Sequence, residues 1–229
     1  DRRMSLRSAS SERGNASFGT AIEVDGVRLN NNSTTGESLG ASTRTLSASN
    51  IESVEIVAGI PSVEYGDLSN GIVKVNTRRG RSPFIIEGSV NQHTRQLAVN
   101  KGFSVGQDGG VINLSFEHAC SFSDAASPYT AYQRNAFSLN YLNVVMKNRL
   151  PLTLNVGVRG NIGGYNSKKD PDEQLENYAK KRDNGVSGNI RLNWQLNQPW
   201  LTSLQFIGAA SYSNRRSETY TNASSASTQ

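Results

Sequence analysis

The sequence predicts a mainly β fold in two parts: a small mixed unit up to about Gly80, then a series of antiparallel strands. The 229 residues include 21 glycines, only 35% are hydrophobic, and the mean hydropathy is −0.51. Such a composition favours short strands joined by turns. After Phe84, apolar and polar residues alternate with a period of two, which is typical of strands with one polar face.

Three short apolar segments define the predicted strands of the first unit. They are separated by polar loops, and they read AIEVDGVRL from Ala21, IESVEIVAG from Ile51 and GIVKVNT from Gly71. Up to Gly80 the nine basic and nine acidic residues balance. The net charge of +5 therefore belongs entirely to the second part, where it would suit an anionic partner.

The second part contains strands whose two faces differ in polarity. Between Leu152 and Ile162 the apolar side chains share one face, and Thr153, Asn155, Arg159 and Asn161 share the other. Segments 112–117 and 189–196 split in the same way. Segment 204–212 is weaker because Ile207 and Ala209 fall on its polar side. Periodicity alone fits a soluble β-sandwich as well as a transmembrane β-barrel.

Connection lengths favour the barrel. Short links near 104–109, 148–151 and 197–200 alternate with long ones near 119–132 and 165–183, as in outer-membrane barrels. The second long link includes DPDEQLENYAKKRDN, which we predict to be a loop with a short charged helix. No apolar stretch is long enough for a transmembrane helix, and the first residues lack a signal peptide's apolar core.

Residues that could carry enzymatic or metal chemistry are sparse. The chain has one cysteine, Cys120, and two histidines, His93 and His118, so neither a disulfide nor a zinc site is expected. No G-x-S-x-G motif occurs, and the acids after Asp170 do not fit the EF-hand spacing. Nucleic-acid-binding motifs are absent too. We therefore predict no enzyme activity, no catalytic residue, no cofactor, no metal and no nucleic-acid partner.

The segment from Ile51 to Gly80, IESVEIVAGIPSVEYGDLSNGIVKVNTRRG, resembles the C-terminal half of the plug domain of TonB-dependent outer-membrane receptors. In that family an IE-x-V-E-I strand is followed by a Gly turn, YG, and a G-x-V-x-V-x-T-R strand. Upstream, the V-D-G-V at Val24–Val27 resembles the family's hairpin. Leu6 and Arg7 lie where the family has I-R-G, although Ser8 replaces the glycine.

The resemblance implies a fold class and two domains. Residues 1–80 would be a partial plug domain of mixed α/β structure. Residues 81–229 would supply about seven antiparallel strands of a 22-stranded transmembrane β-barrel, so that the chain is an internal fragment. The expected location is the outer membrane of a Gram-negative bacterium.

The resemblance also implies a function. It indicates TonB-dependent active transport of a scarce solute, whether siderophore, vitamin, glycan or peptide, driven by the TonB–ExbB–ExbD complex. Outer-membrane lipid and lipopolysaccharide would be further partners. A surface lipoprotein lid accompanies receptors of the starch-utilisation type, but GIPSVEYG replaces their Ala-rich turn, so lid and glycan stay open. A sensing receptor, and a soluble or cell-surface β-sandwich binding module, are the alternatives.

Two groups of site residues follow from the resemblance. The polar loop after the hairpin faces the ligand in related plugs, and the substrate contacts expected there are Asn31, Asn32, Ser33 and Thr34. A plug must be held in its barrel by polar contacts that can separate during transport. The charged residues expected at that interface are Arg7, Glu52, Glu55 and Arg78.

Overall fold

The computed structural model describes residues 21–29, 46–57, 71–122, 131–147, 149–167 and 177–221. These residues form a four-stranded sheet, the first sheet, and a seven-stranded sheet, the second sheet. One 3₁₀ turn at Ala48–Asn50 is the helical element described in these ranges. Within them, no helical segment combines the length and apolar character needed to cross a lipid bilayer. The mainly β fold class is thus confirmed; any α-helix of a mixed plug lies outside the described residues.

The first sheet is mixed and has a small apolar core. Its strands are β1 (Ala21–Val24), β2 (Val27–Arg28), β3 (Ile51–Val57) and β4 (Ile72–Thr77), in the spatial order β2-β1-β4-β3. Strands β1 and β4 pair in parallel, whereas the other two pairs are antiparallel. Alternating aliphatic residues of β1 and β4 pack with Leu46. This core is modest, so the sheet depends on contacts with its surroundings.

The β1–β2 hairpin turns at Asp25 and Gly26. Both residues have positive φ, 55° and 79°, which matches the type I′ turn that Asp-Gly favours. A β-carbon on Gly26 would lie 1.2 Å from a guanidinium nitrogen of Arg191 in the second sheet. Glycine therefore permits both the turn and a close approach between the sheets.

The second sheet is an antiparallel meander in which every strand pairs with its neighbours in sequence. Its strands are β5 (Ser82–Val90), β6 (Thr94–Ser104), β7 (Val111–Ser121), β8 (Tyr132–Val145), β9 (Leu152–Asn166), β10 (Asn177–Gln198) and β11 (Leu201–Thr221). The links after β6, β8 and β10 are short and lie at one end of the sheet. The longer links after β7 and β9 lie at the other end.

In the second sheet the apolar face is exposed and the polar face is buried, which is the reverse of the pattern in a soluble β-protein. On the outer face, Phe84 and Ile86 are each 69% exposed and Ile162 is 59% exposed. On the inner face, which the first sheet covers, Asn113, Glu117 and Asn161 are at most 2% exposed. A β-sandwich would bury its apolar faces against each other. The exposed apolar face is instead typical of a sheet that faces lipid.

Strands β10 and β11 are longer than the sequence pattern predicted. Residues 177–183 were predicted to be loop or short helix, but they form the start of β10, whose ladder with β11 runs from Asn177 to Thr221. Two cross-strand pairs explain the extension. Tyr178 stacks on Tyr220 with ring centroids 5.4 Å apart, and Lys180 lies opposite Glu218. Such pairs stabilise a ladder but are invisible in a single segment of sequence.

The exposed apolar face predicts that the chain requires detergent. In plain buffer we expect aggregation, because contiguous apolar patches of this kind associate. In a non-ionic detergent we expect a monodisperse species. Size-exclusion chromatography with light scattering measures both states. A stable monomer in plain buffer would contradict the outward placement of the apolar side chains.

Candidate functional site

The candidate site is the polar interface between the first sheet and the inner face of the second. Both sheets contribute buried polar side chains there. Those of the second sheet are Asn100, Asn113, Ser115, Glu117, Ser138, Asn140, Asn155, Arg159, Asn161, Asp183 and Asn189. Buried polar groups require hydrogen-bonding or ionic partners. The partners of two carboxylates, Asp25 and Glu117, define the site.

Asp25, at the tip of the β1–β2 hairpin, is 2% exposed. Its carboxylate accepts hydrogen bonds from three groups of Thr77, the last residue of β4, and Arg79, which follows that strand. The amide N–H and hydroxyl of Thr77 donate to it at 2.9 and 2.7 Å, and Arg79 donates at 2.7 Å. From the second sheet, a guanidinium nitrogen of Arg159 lies 3.5 Å from the carboxylate. Asp25 thus joins the two sheets through a buried ion pair.

Glu117, in the middle of β7, is fully buried. It connects the second sheet to the segment that leads into β3. Its carboxylate accepts bonds from Ser47 and, at 3.4 Å, from Ser49, which lie at the 3₁₀ turn that leads into β3 of the first sheet. Within the second sheet it pairs with Arg134 and accepts a bond from Gln96 at 3.1 Å. Arg134 compensates the charge of Glu117 within the second sheet. The remaining lone pairs of the carboxylate bind the two serine hydroxyls.

Neutral side chains continue the interface between the two carboxylates. Asn50 donates to the hydroxyl of Ser138 at 2.7 Å and accepts a bond from Asn100 at 3.0 Å. Asn140 donates to Thr77 at 2.9 Å, so that Thr77 links Asn140 to Asp25. Residues of three neighbouring strands, β6, β7 and β8, therefore contact the first sheet through hydrogen bonds rather than apolar packing.

Of the residues predicted to join plug and barrel, only Arg78 is described in contact with the second sheet. Arg78 lies 3.7 Å from Glu87 of β5, a contact between the two sheets. Glu52 and Glu55 lie exposed on β3, at the edge of the first sheet, and no described ion pair joins them to the second sheet. Their role as plug–barrel contacts stays a prediction. Arg7 lies outside the described residues, as do the predicted substrate contacts Asn31, Asn32, Ser33 and Thr34.

The sequence analysis did not identify Asp25, Glu117 or Arg159 as interface residues. Glu117 and Arg159 were placed on polar strand faces, which was correct but did not distinguish them from neighbouring Asn and Ser. Asp25 was recognised only as a turn residue. A charged residue at the centre of a predicted polar face is the one signal that points to such a role, since burial of a charge requires a partner.

Metal binding finds no support in the described ranges. They contain no group of three His, Cys, Asp or Glu side chains close enough to hold an ion. The buried carboxylates Asp25, Glu117 and Asp183 are each engaged by arginine. The interface connects the two sheets, and its described groups are not arranged as a metal centre.

Comparison with known proteins agrees with this arrangement. Residues 2–73 match the family model described as TonB-dependent Receptor Plug Domain. In this segment, which is less than half of the chain, the sequence is similar to that plug domain. The match includes β1, β2 and β3 and reaches into β4, so the side of the interface that holds Asp25 lies in the matched segment.

A solved structure and the curated proteins were also compared. The siderophore receptor PirA from Acinetobacter baumannii is similar at a TM-score of 0.48 and 14% identity, over 84% of this chain and 36% of the receptor. The chain thus spans about a third of the length of that receptor. No curated protein matches the chain.

Asp25→Asn is expected to loosen the plug. Asparagine tolerates the positive φ of this turn, so the backbone should persist while Arg79 and Arg159 lose their shared counter-charge. Removing one partner of a buried ion pair costs about 3 kcal/mol. Urea unfolding of the full-length receptor, combined with hydrogen exchange of the β1 and β4 amides, measures the loss.

Asp108→Asn is the matched control, because it makes the same substitution in an exposed turn of the second sheet, where the aspartate side chain is 88% exposed. A change within about 0.5 kcal/mol is expected. Equal effects of the two substitutions would show that Asp25 does not hold the plug.

Proposed function

We propose that the chain is part of a TonB-dependent transporter that imports a scarce solute across the bacterial outer membrane. The observation that carries the proposal is the polar interface around Asp25 and Glu117, which lies between a plug-family segment and a sheet with an apolar outer face. Plug-family membership favours a receptor or transporter component over an enzyme. Residues 1–80 would form the plug domain and 81–229 the barrel strands.

The length of the outer apolar face supports a membrane location. On β10 the outward apolar side chains run from Val186 to Trp194, and on β11 from Leu204 to Tyr212. Each run covers nine positions. A tilted transmembrane strand needs about 9–11 residues, so the apolar face has the height of the bilayer's hydrocarbon core. The polar residues of β10 before Val186 would then lie beyond that core.

The polarity of the interface supports a plug that moves. Separating hydrogen-bonded polar surfaces exchanges protein bonds for bonds to water, and each bond contributes only about 0.5–1.5 kcal/mol net. Separating an apolar interface would instead cost about 25 cal/mol for every Å² exposed. The TonB–ExbB–ExbD complex, as the energy-transducing partner, would supply the work of displacement from the proton motive force.

The solute would be captured by the loop that follows the β1–β2 hairpin. We propose Asn31, Asn32, Ser33 and Thr34 as its contacts, since their amides and hydroxyls both donate and accept hydrogen bonds. Siderophores, vitamins, glycans and peptides all carry groups that these side chains can bind. A surface lipoprotein lid belongs to the proposal only if the solute is a glycan.

Loss of the loop contacts should lower uptake. With all four residues, Asn31 to Thr34, replaced by alanine, losing two hydrogen bonds of about 1 kcal/mol each reduces affinity about thirtyfold. The measurement is growth of a receptor-deletion strain complemented with the full-length gene. An iron–siderophore complex, a vitamin, an oligosaccharide or a peptide serves in turn as the limiting nutrient.

Two controls accompany this growth assay. Gln107→Ala with Asp108→Ala alters an exposed turn at the short-link end of the second sheet and should leave growth unchanged. Deletion of TonB should abolish growth on the transported nutrient. Growth that is independent of both the receptor and TonB would refute the transport proposal, whereas an intact response of the loop variant would refute only the contacts.

Fixing the plug to the barrel should stop transport. Asn50 and Ser138 lie on opposite sides of the interface with side-chain atoms 2.7 Å apart. Asn50→Cys combined with Ser138→Cys provides a pair that an oxidant can bridge, and a mobility shift after proteolysis reports the bridge. Uptake should fall on oxidation and return with a reductant. Unimpaired uptake by the bridged receptor would show that this part of the plug stays in place.

A further inference from the structure

The outer face of β7 carries a cysteine and a histidine beside each other. Cys120 and His118 are two residues apart, so they share a face of the strand, the one on which Phe116 is exposed. The thiol sulfur of Cys120 lies 3.2 Å from Nε2 of His118. Both side chains are partly exposed. A thiol within hydrogen-bond distance of an imidazole is the arrangement of an activated cysteine nucleophile.

Asn135 of β8 orients the imidazole of His118. It is the direct cross-strand partner of the histidine, and its amide oxygen lies 2.8 Å from Nδ1. Because an amide oxygen only accepts hydrogen bonds, Nδ1 carries the proton. Nε2 of the neutral ring is then an acceptor, and it faces the thiol of Cys120. His118 is therefore held in the tautomer that can take the thiol proton.

A cation lies next to the thiol on the neighbouring strand. Arg95 of β6 is the other cross-strand partner of Cys120, and such partners lie about 5 Å apart at the β-carbon. Its guanidinium carbon is 5.1 Å from the ring centroid of Phe122, two residues beyond Cys120. Arg95 forms no ion pair with a carboxylate in the part of the chain that the structure describes. Its charge favours a thiolate on Cys120 and attracts anions.

A groove gives small molecules access to this cluster. It has a volume of about 640 Å³ and is lined in part by Gln133 and Asn135, the β8 partners of Cys120 and His118. The cross-strand row through Cys120 continues from Gln133 to Gly164, so it contains no large apolar side chain on these three strands. A small molecule in the groove would therefore lie beside the thiol and outside the apolar part of the sheet.

We infer that Cys120 is a site of covalent modification by thiol–disulfide exchange with a small anionic disulfide. It is the one cysteine of the 229 residues and is a free thiol, so a second sulfur atom has to come from another molecule. The groove provides room for a compound of low molecular weight. The charge of Arg95 favours a disulfide that carries carboxylate groups.

The exchange balances without a further reactant. His118 accepts the thiol proton, and the sulfur of Cys120 attacks one sulfur atom of the disulfide. A bond forms between these two sulfur atoms while the original S–S bond breaks, and the leaving thiolate takes the proton from His118. The sulfur of Cys120 is oxidised and the leaving sulfur is reduced. The products are a mixed disulfide on Cys120 and one small thiol.

The test measures how fast Cys120 of the full-length receptor in detergent reacts with glutathione disulfide at pH 7. Mass spectrometry of the peptide that contains Cys120 quantifies the adduct at this site alone. An unassisted thiol is only a few per cent thiolate at neutral pH, so the native receptor should react about tenfold faster than the urea-unfolded receptor. His118→Gln should lower the native rate by about the same factor.

His93→Gln is the matched control for His118→Gln, because it makes the same substitution at the chain's other histidine, which is exposed in the β5–β6 link. It should change the rate less than about twofold. Thermal unfolding in detergent verifies that both variants fold. The comparison of native with unfolded wild type requires no variant, so it tests the activation of Cys120 even if His118→Gln is unstable.

Cystamine, a small cationic disulfide, tests the preference for anions. Arg95→Gln should slow the reaction with glutathione disulfide about fivefold, which is the effect of one charge at close range in water. It should not slow the reaction with cystamine. Lys101→Gln is the matched control, because Lys101 lies on the same strand and face, over the ring of Phe84, but about 20 Å further along. It should leave both rates unchanged.

Three results would overturn the inference. A native rate no higher than the unfolded rate would show that the fold does not activate Cys120. Equal rates of the two histidine variants would exclude His118 as the base, and equal slowing of both disulfides by Arg95→Gln would exclude the selectivity for anions. The exchange does not depend on transport. A receptor that imports its solute but leaves Cys120 unmodified would contradict this inference alone.

Discussion

Two buried carboxylates, Asp25 and Glu117, provide the connection on which the arrangement of the two sheets depends. Asp25 extends from the first sheet to Arg159 of the second, and Glu117 of the second sheet accepts bonds from Ser47 and Ser49 at the 3₁₀ turn that leads into β3. A buried carboxylate without partners is strongly unfavourable. The two sheets therefore have one mutual position in which both charges are satisfied, although neither sheet has a large apolar surface that would hold the other.

Under the proposed function, this connection would allow a plug to be both positioned and released. A buried ion pair contributes specificity of position more dependably than net stability, because the Coulombic gain is offset by desolvation. When water enters, the same groups are hydrated, so displacement has a limited net cost. An apolar core between the sheets would have fixed the plug permanently. The apolar side chains of the second sheet lie instead on its outer face. There the proposed membrane would cover them.

The extension of β10 and β11 gives the second sheet a polar region beyond its apolar face. The sequence pattern stops at the apolar alternation, since the residues before Val186 carry charges, glycine and serine on both faces. Pairing with β11 nevertheless continues the ladder to Asn177. The same pairing brings Arg182 opposite Arg216. Cross-strand register therefore places together charged residues that neither strand brings together alone.

By itself, the sequence determined the mainly β class and the strand faces of the second sheet; the hairpin at Asp25 and Gly26 was expected only from the family resemblance, since the segment AIEVDGVRL was otherwise predicted to be one strand. These features depend on local period and turn chemistry, which a single segment contains. Only the tertiary structure decided which polar residues are buried, because Glu117 and Arg159 acquire their roles from partners at least 17 residues away along the chain. It also decided how far β10 extends. Pairing between distant segments depends on register, and a periodic pattern fits several registers equally well.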